Sequence, residues 1–369
     1  MEVYLDNAAT TKLDERVLKV MIPFLSHNYG NASSPHSLGR KARFAVEDAR
    51  ERVAAHLGAE PGEIVFTSGG TEANNLALCG GIRSSFPHLI TSSAEHQSVL
   101  EPAREMAAGG TTVSMIDPGS NGSVATGDLA RHLEGRRGLV SLMYVNNETG
   151  ALNPIPEIAA VCRGAGALFH SDAVQAPGWM ELNVDAMGVD LLTISAHKIY
   201  GPKGIGVLFA RADTVDLQPL IRGGSQERRR RGGTENVAGI VGLAAALDLV
   251  VENRSERRAH YENLKAGLSA RLASVIDEGV VVNSPADGAP HLLNISFLPT
   301  DRGPVDGEML LLNLDVAGIS VSSGSACTSG TVEPSHVLLA MGRDPATASA
   351  SVRFSFGKDN TLEQMDFVA

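Results

Sequence analysis

The sequence predicts an α/β protein: a mostly parallel sheet with flanking helices, joined to a smaller α+β domain. Three observations carry this reading. Short β-branched runs alternate with helical patterns through the first two-thirds of the chain, as in a sheet built by crossover connections. After about Val251 the pattern changes to a charged helical stretch and then a mixture of strands and helices. The 369 residues are also more than one small core organises, so at least two domains are expected.

Seven strands are expected in the large sheet, at 63–67, 88–91, 112–116, 139–145, 167–170, 191–195 and 206–210. The clearest helix runs over 38–57. Its apolar positions Leu38, Ala42, Ala45, Val46, Ala49, Val53 and Leu57 follow the helical period, with Ser37 as the expected cap and Gly58 as the stop. Beyond Val251 come a helix at 252–273, strands at 280–282 and 292–297, a helix at 308–316 and a strand at 351–356; Thr361 starts a last helix. The expected division is a large α/β domain over 13–255 and a small α+β domain of 1–12 and 256–369. In such sheets ligands sit at the carboxyl ends of the strands, which directs attention to the residues there.

Composition narrows the function. Hydrophobic residues make up 43% and charged residues 20%, ordinary for a globular protein. The net charge of −11 argues against a dedicated nucleic-acid binder, which must neutralise phosphates. There is no long apolar span and no basic-then-apolar leader at Met1–Asp6, so the cytoplasm is the expected location. Three scattered cysteines form neither a disulfide framework nor a zinc site, and no metal is expected. Cys79 and Cys162 lie in apolar helical stretches and read as core fillers. Cys327 instead sits in Ser322-Ser323-Gly324-Ser325-Ala326-Cys327-Thr328-Ser329, a Ser/Gly-rich loop where a thiol stays accessible and reactive.

Six further features bear on chemistry. In Ser195-Ala196-His197-Lys198-Ile199-Tyr200-Gly201-Pro202, a core strand ends in His-Lys. A desolvated lysine there becomes a nucleophile suited to Schiff-base formation; a snorkelling surface lysine also fits. The chain has seven lysines among its 31 basic residues, so a lysine here is the less expected choice. Asp172 closes the strand Leu168-Phe169-His170-Ser171-Asp172, where a carboxylate pairs with a pyridinium nitrogen or caps a helix. Thr67-Ser68-Gly69-Gly70-Thr71-Glu72 reads as strand, glycine turn and helix start, either a phosphate site or a tight turn. His96 follows another strand and suits stacking on a flat ring, or a structural role. Arg353, in an alternating strand, can clamp a carboxylate or lie on the polar face. The run Arg228–Arg231 lacks interleaved aromatics and reads as a glycine-flanked loop facing a phosphate or a neighbouring subunit.

Together these motifs resemble a fold-type I enzyme dependent on pyridoxal 5'-phosphate (PLP), of the aspartate aminotransferase superfamily. The segments Tyr4–Thr11, Tyr29–His36, Ser68–Asn75, Ala94–His96, Val145–Gly150, Ser195–Gly206, Arg231–Asn236 and Ser322–Ser329 are similar to those of group I cysteine desulfurases of the NifS/IscS type, DndA included. The likeness runs over essentially the whole chain, and the Cys327 loop and the Lys198 segment are its most specific parts. It implies that Lys198 carries PLP, Asp172 pairs with the ring nitrogen, Gln175 bonds the phenolic oxygen and His96 stacks on the ring. Gly70, Thr71, Ser195 and His197 would hold the phosphate, with Thr234 reaching the phosphate of the second subunit of a homodimer. Asn147 and Arg353 would hold the carboxylate of L-cysteine, Lys198 would take its α-proton, and Cys327 would receive the sulfur as a persulfide, releasing alanine. The sulfur would pass to an acceptor protein for iron–sulfur cluster assembly, tRNA thiolation or DNA phosphorothioation, without direct nucleic-acid or membrane binding. Members of the group commonly continue past the position of Ala369 with a further helical segment. The alternative is a selenocysteine lyase or another fold-type I PLP enzyme, which needs Lys198 and Asp172 but no mobile Cys327.

Overall fold

A computed structural model of the chain describes residues 1–81, 87–212, 214–276, 278–301, 303–323 and 333–369. Its strands, in chain order, are β1 (Val3–Tyr4), β2 (Ile64–Thr67), β3 (His88–Ser92), β4 (Thr112–Ile116), β5 (Gly138–Ser141), β6 (Leu168–Asp172), β7 (Leu191–Ser195), β8 (Gly206–Ala210), β9 (Val280–Val282), β10 (Leu292–Phe297), β11 (Ile319–Ser320) and β12 (Ser351–Ser355). Seven of them form one sheet in the order β2-β8-β7-β6-β5-β3-β4. Strands β7, β6, β5, β3 and β4 run parallel, and β8 lies antiparallel to both β7 and β2. Every residue of β2, β3, β5, β6, β7 and β8 is buried. Helices cover both faces of such a sheet, so its strands read as continuous apolar runs rather than alternating ones.

The expected strand at 139–145 leaves the ladder at Ser141. Beyond it the backbone still follows β6, with Leu142 N donating to His170 O at 3.1 Å and Tyr144 N to Asp172 O at 2.8 Å. The Asn146 side chain then accepts from the Glu148 and Thr149 N–H groups and turns the chain back. The apolar run was correct as a buried segment, but this polar turn ends its regular pairing.

The helix expected at 38–57 spans Ser37–Leu57, and Gly58 closes it in the left-handed region with φ 65°. Its cap is His36, not Ser37: the imidazole Nδ1 accepts from Gly39 N at 3.2 Å. The cause is close backbone packing before the helix. A Cβ on Gly30 would lie 2.4 Å from the Leu38 carbonyl, and one on Gly39 would lie 2.3 Å from Ser34 O. The expected helix at 252–273 is the second of two, Val237–Glu252 and Arg254–Val275, with Asn253 between them. Cys162 is buried as expected, but Cys79 is exposed. The run Leu76-Ala77-Leu78-Cys79-Gly80 is apolar on every face, so its periodicity does not reveal which residue points outward.

The N-terminal segment joins the other end of the chain. β1 pairs in parallel with β11, and Asp6 bridges to Ser355 of β12. β12 in turn pairs with β10, and β10 with β9. Thr361 caps the final helix, Leu362–Val368, in a reciprocal box with Gln364. Among the described residues no helix is long and apolar enough to cross a membrane.

One buried ion pair ties the arginine-rich loop to the sheet. The Arg50 guanidinium donates to both Glu227 carboxylate oxygens at 2.8 Å and to Ile64 O at 2.8 Å, and Glu227 also accepts from Phe66 N. This pair supports a turn in which Glu227, Arg228 and Arg229 all have positive φ. Glu227→Gln removes the buried counter-charge of Arg50 and leaves it only the part-exposed Glu47 at 3.3 Å, and should destabilise the protein by up to about 3–5 kcal/mol. A urea titration checks this; an unchanged midpoint would show the pair to be dispensable.

Candidate active site

A cavity of about 550 Å³ opens at the carboxyl ends of β6 and β7, where a parallel sheet places its ligands. Residues from widely separated parts of the sequence line it: Asp6, Ala8 and Ala9, the start of the helix Gly70–Gly81, His96, Asn147, the ends of β6 and β7, and Arg353 of β12. Thr71, Gln175, His197 and Lys198 complete the set expected there.

Asp172 is the last residue of β6 and is buried. It does not cap a helix. One carboxylate oxygen accepts from Val174 N at 2.9 Å and stabilises a turn, while the other accepts from Asn74 Nδ2 at 2.6 Å. Asn74 Nδ2 also donates to Ser98 Oγ at 2.8 Å, which ties Asp172 to the neighbourhood of His96.

Lys198 ends the short 3-10 turn after β7. Its Nζ does not snorkel outward but donates to Ala8 O and Ala9 O, each at 2.6 Å. Burial first, and then the Arg353 charge, push its pKa down from 10.5 to about 8, against the opposing pull of Asp6 and Asp172. A larger fraction of neutral amine is therefore present near neutral pH than an ordinary lysine provides. His197 next to it is pushed down to about 4, by burial and then by Lys198 and Lys203, and is neutral.

His96 caps the helix Gln97–Ala108, with Nδ1 accepting from Ser98 N at 3.0 Å. Because that N–H is a donor, Nδ1 carries no proton and the neutral ring holds its proton at Nε2. Burial lowers the His96 pKa, with Asp172 opposing, and so favours this neutral form. Gln175 is buried; its amide donates to Ala8 O at 3.0 Å, and its Oε1 lies 3.3 Å from His291 Nε2.

At the other end of the cavity, Gly70 begins its helix where a Cβ would lie 3.1 Å from Val174 Cγ2 and 3.6 Å from Ser195 Cβ. The Ser195 hydroxyl is buried and has no partner among the described residues. A helix N-terminus, an unpaired buried hydroxyl and a side-chain-free first residue form a cradle for a phosphate group. With a desolvated lysine and a fixed carboxylate beside them, these residues fit PLP.

Arg353 is 4% exposed, which rules out a place on the polar face. It donates to Asn147 O at 2.9 Å and to Asp6 Oδ1 at 2.7 Å. Thr234 is not in this cavity. It lies exposed beside a smaller hollow of about 110 Å³ that Arg231 also lines. Arg231 pairs with Glu72 in the first turn of the Gly70–Gly81 helix at 2.9 Å. Cys327 lies outside the described residues.

No role was expected of Asn74, Asp6, His291 or Glu148. Asn74 has a readable signal, as a polar residue among Ala73, Leu76 and Ala77 on a helix. Glu148 is buried, accepts from Ser335 Oγ and lies 4.0 Å from His336 Nδ1. Its partners are nearly 190 positions away, and no local pattern announces them.

The profile of the aminotransferase class-V family matches residues 3–368. The chain belongs to that family. Among class-V relatives, the cysteine desulfurase IscS of Dictyoglomus turgidum is 42% identical over 370 residues, covering 99% of this chain and 92% of that protein. A solved NifS-like protein superposes with a TM-score of 0.90 at 36% identity, over 100% of this chain and 97% of its own. A structure described as SspA in complex with cysteine gives a TM-score of 0.81 at 34% identity, over 96% and 98%.

Competitive acetylation of the cofactor-free protein, read lysine by lysine, tests the electrostatics. Lys198 reactivity should rise through about pH 8, because the neutral amine reacts and its share grows above the pKa. A rise only near the ordinary lysine value would contradict the desolvated amine.

Proposed function

We propose that this class-V protein is a cysteine desulfurase that converts L-cysteine to L-alanine and takes the sulfur onto Cys327 as a persulfide. The observation that carries the reading is the convergence of Asp172 and Lys198, at the ends of the neighbouring strands β6 and β7, with Arg353 of β12 on one cavity. PLP bound there supplies an electron sink for charge developing at the substrate Cα. Lys198 holds the cofactor and then, as a free amine, takes the α-proton; its lowered pKa suits both tasks. Asp172, oriented by Asn74 and Val174, provides the fixed negative charge that keeps a ring nitrogen protonated. Gln175 serves the phenolic oxygen, and His96 provides a flat face for the ring. Gly70, Thr71, Ser195 and His197 hold the phosphate, with Thr234 from the second copy in a homodimer; its exposure outside its own cavity supports that role. Arg353 and Asn147 hold the substrate carboxylate.

The sulfur step balances without a further reactant. The Cys327 thiolate attacks the substrate sulfur, the Cβ–S bond breaks, and its electron pair stays with the carbon fragment, which gains protons to become alanine. His96, neutral with its proton at Nε2, is set to donate a hydrogen bond from that nitrogen to the reacting groups. An ordinary thiol pKa of about 8.5 leaves only a small thiolate fraction at neutral pH, so loss of the thiol proton needs local help. The likeness to a protein described in complex with cysteine supports the substrate. We extend the reading to a large domain of 13–255, a small domain of 1–12 and 256–369, and an acceptor protein that receives the sulfur.

A brief L-cysteine pulse on the holoprotein, followed by peptide mapping and an alanine assay, tests this. One added sulfur on Cys327 with matching alanine is expected, and Cys327→Ser should abolish both while leaving the bound cofactor. Alanine formation that survives Cys327→Ser would favour a lyase, and neither product from the intact holoprotein would overturn the enzymatic reading.

A further inference from the structure

We infer that Asp6 is an internal rival of the substrate carboxylate for Arg353, and that it sets how tightly the site holds monocarboxylate ligands. The inference rests on the proposed role of Arg353. A guanidinium presents five N–H donors in a planar fork, and a carboxylate binds it best by taking two parallel donors on one edge. Here Nη1 donates to Asn147 O, Nη2 donates to Asp6 Oδ1, and Nε is buried with no partner among the described residues. Nε and Nη2 share the edge along which a carboxylate docks side-on. The Nε half of that edge is unpaired among the described residues but enclosed, and a side-chain carboxylate of the protein itself holds the Nη2 half.

Asp6 cannot withdraw as a whole. Its backbone bridges to Ser355, two residues from Arg353 on the same strand. The next residue is also fixed there, with Asn7 N and Nδ2 both donating to Ser355 O. The carboxylate is freer, since the Asp6 side chain is 21% exposed against 5% for Arg353. An entering carboxylate therefore shares Nη2 with Asp6 or turns it toward solvent, and either costs binding energy through like-charge repulsion or a lost charge-assisted bond. Without Asp6, a nearly buried guanidinium at the cavity wall would hold any small carboxylate that reached it. With Asp6, a ligand must bring further contacts of its own, as an amino acid does through its amine. Asp6 is thus a positioning and selectivity residue. It also acts on Lys198 in the sense opposite to Arg353, so the three charges form one network.

The test uses the holoenzyme and Asp6→Asn, which keeps an oxygen acceptor for Nη2 and removes the charge. The probes are L-alanine and L-alaninamide, titrated against the cofactor absorbance. Asp6→Asn should bind L-alanine roughly three- to thirty-fold tighter, the range expected for removing one partly screened like charge a few ångströms away. Alaninamide affinity should stay within about twofold, because it carries no carboxylate to repel. KM for L-cysteine should fall, and product inhibition should strengthen. Unchanged or weaker alanine binding would overturn the inference, as would equal tightening of both probes, which points to a general rearrangement. Arg353→Gln separates the two claims. If it leaves alanine binding intact, the role of Arg353 itself fails; if it weakens alanine binding while Asp6→Asn does not tighten it, only the rivalry fails. Should Asp6→Asn not retain the cofactor, the smaller Asp6→Ser carries the same expectation.

Discussion

The contact between the Lys198 amine and the carbonyl oxygens of Ala8 and Ala9 joins the two ends of the architecture at one atom. Lysine at the end of a core strand is costly to bury, and these carbonyls satisfy it without supplying a counter-charge that would lock it as an ammonium. Contacts on either side hold the arrangement in place. Thr11 donates from both its N–H and its hydroxyl to His197 O and accepts from Tyr200 N, while Asp14 N donates to Tyr200 O. Tyr200 itself has φ 65°, a conformation a bulky residue keeps only when its surroundings enforce it. Its hydroxyl lies 3.0 Å from that of Tyr261 and accepts from Lys358 N. The turn that carries Lys198 is thereby fixed from the N-terminal segment on one side and from the C-terminal third of the chain on the other.

Charge in the site follows from the same burial. The Arg353 guanidinium and the Lys198 amine share one cavity with the Asp6 and Asp172 carboxylates. Two further carboxyls, Glu95 and Glu148, lie wholly inside, and burial pushes both upward. Glu95 accepts from Met143 N, and Glu148 is bound by Ser335, so each fixes a loop at the cavity wall. These specific partners fix where each buried charge lies. That makes each removal consequential, since low polarity strengthens what remains.

Much of this was legible from residue order. The alternation of buried strands with helices announced the parallel sheet, and its carboxyl ends pointed to Asp172, Ser195 and Lys198. Where local patterns failed, the reasons are physical. His36 displaced Ser37 as a cap because glycine contacts upstream set the direction of entry into the helix. Cys79 lies outside because an apolar run has no distinguishable face. Asp6 reaches Arg353 across 347 positions, and Glu148 meets Ser335 across 187; no periodicity encodes such pairs. Asp172 caps no helix, because Asn74 and Val174 take its two oxygens, whereas His96 does cap one, through Ser98 N, and lines the cavity as well.

The central claim is that the cavity holds PLP through Lys198. Borohydride reduction of the protein as isolated with its cofactor, followed by peptide mapping, addresses it most directly. One reduced pyridoxyl-phosphate adduct per chain is expected, on Lys198 and on no other lysine. An adduct on another lysine, or none on a protein supplied with the cofactor, would contradict it.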